Sequence, residues 1–280
     1  MKRQRAALSG EDRAAIKNSF ETNGYHIARG LLSREAVDDL RESFTAQARR
    51  GRIEGLNTDS RITDPADPLY TYGRMMHPHR HPELAIGPLA MQYMLNPPVG
   101  EILSVAFGEP AVAAQSMFYF KPPGSRGQDF HQDNFYLRVH PGSCVAAWTA
   151  IDDADQENGG LLVVPGSHRF GIICPGAADP ARFFTTEHLD IPEGHEAVPA
   201  DLRAGDVLFF SGSVIHGSYP NTSSTRFRRA FICHYAPLSS VEVSKYYRPL
   251  YTFAGEEHEK VFVSGGGPCG SVQDAVKGPH

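Results

Sequence analysis

The chain has 280 residues, with 27 basic against 32 acidic side chains and a net charge of −5, so it lacks the cationic excess that grips nucleic acid or an anionic membrane surface, and its expected partner is a small molecule. Its 41% hydrophobic and 10% aromatic content supports a sizeable core, and no stretch reads as an interdomain linker, so one domain over residues 1–280 is expected. No run approaches the roughly 18 apolar residues that span a bilayer, and no apolar segment of a secretory signal follows the basic start.

In chain order, Ser9 is placed to cap a helix through about residue 22 and Ser33 another through about 50, with the short strand "YHIARG" between them. Residues 51–86, rich in Asp, Pro and His, read as irregular, and 88–107 as helix interrupted at Pro97-Pro98. Strands are predicted from there at 111–121, 128–139, 143–152, 160–165, 205–211, 213–219 and 228–236. Many short strands with Gly and Pro turns, and no helices alternating with them, point to an antiparallel double-sheet architecture: a mainly β jelly roll, the double-stranded β-helix of cupin-like folds. The expected layout is a helical flank (1–110), a jelly-roll core (111–238) and a C-terminal extension (239–280). Residues 169–202 show no clear period and read as a wall or lid over one end of the barrel, and the tail "SGGGPCGSVQDAVKGPH" reads as loose. Cys144, Cys174, Cys233 and Cys269 form no C-x-x-C pair, which argues against a zinc knuckle, a redox dithiol or a disulfide scaffold and leads to a reduced, cytoplasmic setting as the expectation.

Three H-x-[DE] pairs occur: His81/Glu83, His131/Asp133 and His188/Asp190. On a strand, residues i and i+2 share a face and can converge on one ion. Only His131 and Asp133 lie in a convincing strand; the other two pairs lie in irregular, Pro-containing chain and read as solvated loop residues. His216, in the later "GDVLFFSGSVIHGSYPN", is the natural third ligand. Two imidazoles and a carboxylate occupy one face of an octahedral ion, leave the opposite face open, and suit Fe(II) best. Twelve residues on, Arg228 and Arg229 enter the apolar strand "RRAFICHYA" facing opposite ways, and an inward guanidinium matches a carboxylate with its planar fork of donors. Around Met117, the face Gln115, Met117, Tyr119, Lys121 is mostly polar, as expected where a strand lines a cavity.

These residues resemble the phytanoyl-CoA dioxygenase family, non-haem Fe(II) enzymes that use 2-oxoglutarate on a jelly-roll core. The likeness runs from about residue 115 to 236 through "QSMFYFKPPGS", "HQDNFY", "AAWTAIDDADQENGGLLVVPGSH", "HGSYPN" and "FRRAFICHYAP". The resemblance implies that His131, Asp133 and His216 hold iron and that Arg228 binds the distal carboxylate of 2-oxoglutarate, with Arg229 the fallback if the register slips by one. It further implies that Met117, Trp148 and Ser218 line the cosubstrate pocket. Arg74 is a candidate carboxylate ligand at the pocket mouth, Phe135 a residue that restricts the substrate carbon, and Lys121, Tyr136 and Arg138 candidate contacts for a polar or anionic substrate. The implied reaction is O2-dependent hydroxylation, or a related oxidation, of an unactivated C–H bond with release of succinate and CO2, supported in vitro by ascorbate. Halogenating relatives replace the carboxylate ligand with a small residue, and Asp133 therefore favours hydroxylation. A cupin-like metal-dependent isomerase and a jelly-roll binding protein are the rival readings.

Overall fold

In the computed structural model, residues 7–57, 64–179, 183, 187–263 and 269 are described. Helix α1 (Gly10–Asn23) starts where expected: Ser9 accepts from the Asp12 amide while the Asp12 carboxylate accepts from the Ser9 amide, a reciprocal cap. Strand β1 (Tyr25–Ala28) follows, then α2 (Arg34–Arg49) capped by Ser33. Among its described residues, the segment read as irregular holds α3 (Pro68–Thr71), β2 (Met75–Met76) and a short 3₁₀ turn. Proline at the first position of α5 (Pro97–Phe107) separates it from α4 (Ile86–Met94), as the ring demands.

The β half comprises β3 (Ala111–Tyr119), β4 (Gln128–His131), β5 (Val145–Ala150), β6 (Leu161–Val163), β7 (Gly176–Ala177), β8 (Glu187–His188), β9 (Val198–Ala200), β10 (Val207–Ser211), β11 (His216–Ser218), β12 (Ala230–Pro237), β13 (Glu242–Ser244), β14 (Leu250–Thr252), β15 (Glu257–His258) and β16 (Val261–Val263). A large antiparallel sheet orders them β1-β10-β5-β12-β3-β14-β15, with β2 also on β3; a smaller one runs β4-β11-β6-β9. Met117, Trp148, Phe210 and Ile232 of the large sheet share one buried cluster with Leu161, Val163 and Ala200 of the small one, so the two sheets face each other as in a jelly roll. The opposite face of the large sheet carries Phe118, Phe209 and Phe231, which pack under the helices; Phe44 of α2 stacks on Phe118 at 4.2 Å. Burying a side chain of that size contributes roughly 1.5–3 kcal/mol. Met117 and Tyr119 thus face inward and Phe118 and Phe120 outward, as the alternation along β3 predicts.

Three expectations are corrected. The strand read over 128–139 ends at His131; Asp133 instead opens a single helical turn, α6 (Asn134–Leu137), closed by Arg138 in a left-handed conformation. Tertiary contacts decide this. The Asn134 amide donates to Gly212 O, and its side-chain oxygen accepts from the amides of Val139 and Cys144. Gly212 permits the approach, since a Cβ there would lie 2.2 Å from Cys144 Sγ. The insert, read as a wall or lid over one end of the barrel, is a wall, but it stands elsewhere: Ile173, Leu189, Ile191 and Ala197 cover Phe130, Val164 and Ile215 on the outer face of the small sheet. Finally, Cys174 and Cys269 are joined in a disulfide across 95 positions, with Cα atoms 5.6 Å apart. Spacing along the chain carries no information on that approach, and the reduced setting inferred from scattered cysteines loses its basis. Apart from Cys269, the tail read as loose lies outside the described residues. Part of the C-terminal extension is integral to the fold, because β14 pairs with β3. Among the described residues no helix is long and apolar enough to cross a membrane.

Candidate metal and cosubstrate site

His131 and His216 are direct cross-strand partners in the β4–β11 pair, with ring centroids 4.1 Å apart. The turn into α6 then carries Asp133 between them: its Oδ1 lies 3.7 Å from His131 Nε2 and 3.6 Å from His216 Nε2. One ligand atom from each of the three falls within 4.8 Å of the others, and all three side chains are buried. Convergence therefore comes from a strand end and a helical turn, not from strand alternation. Gln132, between the ligands, turns away and ties the small sheet to the insert through Gly171 O, Ser213 O and the Ile173 amide.

The tautomers are set by the backbone. His131 Nδ1 lies 2.8 Å from Asp129 O and His216 Nδ1 3.0 Å from Val214 O; a carbonyl only accepts, so each Nδ1 carries the proton and each Nε2 presents a lone pair inward. The Gln128 side-chain Nε2 lies 3.1 Å from His131 Nε2. Burial, then the neighbouring His216, lowers the His131 pKa to about 3, which keeps the ring neutral and ready to ligate. Burial alone would raise the Asp133 carboxyl, but the imidazoles of His216 and His234 outweigh it and hold it well below the ordinary range. His234, on β12, is the residue sequence reasoning missed: its Nε2 donates to Asp133 Oδ2 at 3.0 Å, leaving Oδ1 to face the two ligating imidazoles. A signal existed, for counting by twos from Arg228 puts 234 on the same inward face.

Arg228, just ahead of β12, is 3% exposed and lies 5.2 Å over the Trp148 ring, with Nε donating to Gly159 O at 3.0 Å. Its Nη1 is buried with no hydrogen-bond partner among the described residues. Burial lowers its pKa only to about 10, so it remains a cation at neutral pH and calls for an anion. Arg229 points the opposite way and grips Asp152 with two nitrogens, at 2.7 and 2.8 Å, which removes it as the fallback. The buried Lys121 Nζ donates to Ser218 Oγ at 2.8 Å and to Tyr219 O, so it braces the end of β11. Ser218 Oγ accepts from Lys121 and from the Gln128 amide, which leaves its own proton to donate. Met117 is inward in the same cluster as Trp148, and Arg74 reaches Tyr119 Oη at 3.1 Å beside them. Phe135 and Tyr136 are buried in α6, in edge-to-face contact. His81 and Glu83 pair with each other, 3.1 Å apart, and are not among the three residues that converge. His188 of the third pair is more than a loop residue: it clamps the insert to Asp129 at 2.9 Å.

The family model described as phytanoyl-CoA dioxygenase (PhyH) matches residues 20–230. "Phytanoyl-CoA dioxygenase domain-containing protein 1" of Danio rerio is 34% identical over 242 residues, 73% of this chain and 83% of the relative. "Phytanoyl-CoA dioxygenase 1" of Oryza sativa subsp. japonica is 36% identical over 150 residues, 51% of this chain; that match spans about half, 50%, of the rice protein. Among solved structures, the epimerase SnoN in complex with Fe3+, alpha ketoglutarate and nogalamycin RO superposes with a TM-score of 0.62 at 18% identity, covering 86% of this chain and 88% of that one, which shows a shared fold.

Proposed function

Because the chain belongs to the phytanoyl-CoA dioxygenase family, we propose that it oxidises an unactivated C–H bond of a small molecule, most simply by hydroxylation, while 2-oxoglutarate is converted to succinate and CO2. The family is one of Fe(II)- and 2-oxoglutarate-dependent oxygenases, and the donor set fits both cofactors. Two imidazoles and a carboxylate aimed at one point suit Fe(II). A buried guanidinium with an unpaired nitrogen suits the distal carboxylate of the keto acid. The described chain acts, in this reading, as one oxygenase unit.

When bound, iron supplies the O2 and one-electron chemistry that the side chains cannot. The chain's own contributions are binding, orientation and exclusion of water. His131 and His216 present Nε2, fixed by their backbone hydrogen bonds, and Asp133 presents Oδ1 while His234 engages Oδ2. Arg228 and the Ser218 hydroxyl fix the far end of the keto acid, Lys121 holds Ser218 in place, and the Trp148 ring and Met117 form apolar walls. Burial of all these groups keeps the site dry, which strengthens each charge interaction within it.

The observation that carries the reading is the meeting of the buried triad with the buried, unsatisfied Arg228 in one barrel. The test is succinate formation by purified protein given Fe(II), ascorbate and 2-oxoglutarate, which should proceed slowly without substrate and faster in a substrate screen. Iron binding without keto-acid turnover would assign the site to an isomerase; no iron binding would leave a binding protein.

A further inference from the structure

Ahead of α4, the stretch His77-Pro78-His79-Arg80 places three nitrogen-bearing side chains on one tight turn, closed by the Arg80 amide donating to His77 O at 2.8 Å. The proposed reaction uses none of them. His77 and His79 are 6% and 4% exposed, with ring centroids 5.7 Å apart, and the Arg80 guanidinium is close enough to lower the pKa of both rings. Both nitrogens of His77, Nε2 of His79 and Nε of Arg80 are buried without a hydrogen-bond partner among the described residues. The turn sits against the metal centre. The His77 amide donates to Ser116 O on β3, and His77 lies within electrostatic reach of His234, whose Nε2 is 3.0 Å from Asp133 Oδ2. His77 also adopts φ 50°, a left-handed conformation of the kind that collects at ligand sites.

Charge and hydrogen-bond parity decide what this turn receives. Arg80 is anchored at one end, Nη2 donating to Tyr246 O at 3.4 Å, and burial lowers its pKa only to about 10, so it is a cation at neutral pH. Its electrostatic neighbours are Tyr251 and Tyr247, and among the described residues no carboxylate pairs with it; Glu83, nearby along the chain, is taken by His81 at 3.1 Å. Ser116 fixes the tautomer of His79. The serine Oγ accepts from the His79 amide at 3.5 Å and lies 2.6 Å from Nδ1, which is the acceptor its proton reaches among the described residues. Nε2 of His79 therefore carries the hydrogen and can only donate. Burial first, then Arg80, keeps both rings neutral, so His77 offers one donor and one acceptor. The turn thus presents a donor from each of its three side chains, one acceptor and a positive charge. An oxyanion has lone pairs for all the donors and neutralises the charge. A hydroxyl has too few lone pairs for them and leaves the cation uncompensated. An ammonium only donates and is repelled by Arg80, and an alkyl group leaves every buried polar atom unmet.

We propose that Arg80, with His79 and His77, forms a subsite beside the metal centre that binds an oxyanion of the substrate, a carboxylate or a phosphate, so the substrate class is anionic small molecules. This rests on the oxygenase reading, which the substrate-free succinate assay on the wild-type protein tests separately. The subsite itself is tested by saturation-transfer NMR titration of the Fe(II)- and 2-oxoglutarate-loaded protein under anaerobic conditions, so that the Arg228 side is filled, with cyclohexanecarboxylate, cyclohexyl phosphate and cyclohexanol as probes. One of the anions is expected to bind the wild type about tenfold or more tightly than cyclohexanol, the tighter of the two naming the acid. That anion should weaken about tenfold or more in Arg80→Gln, which keeps a polar chain and removes the charge, and measurably in His79→Phe, which keeps a ring and removes both nitrogens; cyclohexanol should be unaffected by either. No preference for an anion, or anion binding unchanged in a variant that folds, would overturn the subsite. So would failure of both variants to fold, which would make the turn part of the scaffold. Anion binding that is lost in Arg80→Gln, in a protein whose wild type forms no succinate, would keep the subsite and remove the oxygenase reading.

Discussion

The two sides of the metal triad are built from opposite chemistries. Towards β5 and the start of β12 the barrel buries the Arg228 guanidinium and the Lys121 amine, whose pKa burial and then Arg228 push well down, with the Trp148 ring and a serine hydroxyl around them. Towards β2 it buries neutral imidazoles, His77 and His79, whose pKa values burial pushes far down. A permanent charge that deep is tolerable only when an anion completes it, whereas a neutral imidazole asks only for a hydrogen bond. The contrast teaches that the site is divided: one side carries the charge of Arg228, the other the neutral rings of His77 and His79. His234 stands at the division, one nitrogen on Asp133 and the other turned away.

That contrast is open to direct attack. The largest effect belongs to the triad itself: His216→Ala removes one of three ligands, and both iron binding and succinate formation should fall to background. Next, Arg228→Ala should raise the 2-oxoglutarate concentration for half-maximal turnover roughly 10- to 150-fold, from the loss of a charge-assisted hydrogen bond of about 1.5–3 kcal/mol. Arg229→Ala, which breaks only the outward pair with Asp152, should leave that concentration unchanged while lowering the melting temperature. Equal effects of the two would erase the distinction between inward and outward arginine. His234→Ala frees Asp133 Oδ2 and should weaken iron about 10- to 100-fold, measured by competition with a chelating dye; unaltered affinity would show that the carboxylate needs no such support.

The smallest effect is electrostatic and lies outside the barrel. The His188 pKa is raised, the hydrogen bond and charge of Asp129 outweighing the opposing effect of burial. Its contribution to stability is complete below the unfolded value, about 6.5, and is lost as pH rises through the raised folded value. His188 is partly exposed, so screening limits the effect to less than about 1 kcal/mol. Melting temperature between pH 6 and 8 should fall slightly more steeply for the wild type than for His188→Ala, and parallel profiles would remove the clamp from consideration.

Much of the site was legible along the chain. His131, Asp133 and His216 are separated from other His and Asp residues by their strand context and by the order of surrounding motifs, and Arg228 by its entry into an apolar strand. His234 was equally readable by alternation but hidden in a run that scans as core. His77 was not readable at all, because its segment has no period and gains its position only from β2 pairing with β3.

What the sequence by itself determined is the β-rich architecture, the caps of α1 and α2, the inward face of β3 and the three side chains that come together as a candidate metal site, because these rest on local periodicity and on residue chemistry. Tertiary structure alone decided that the strand stops at His131, that Arg228 is buried over Trp148 while Arg229 pairs with Asp152, that Cys174 meets Cys269, and that the rings of His77 and His79 lie 5.7 Å apart. Each of those depends on which backbone comes to lie beside which, as when Gly212 lets its carbonyl receive the Asn134 amide and turns the chain into α6. Such long-range contacts outweigh local preference wherever the two compete.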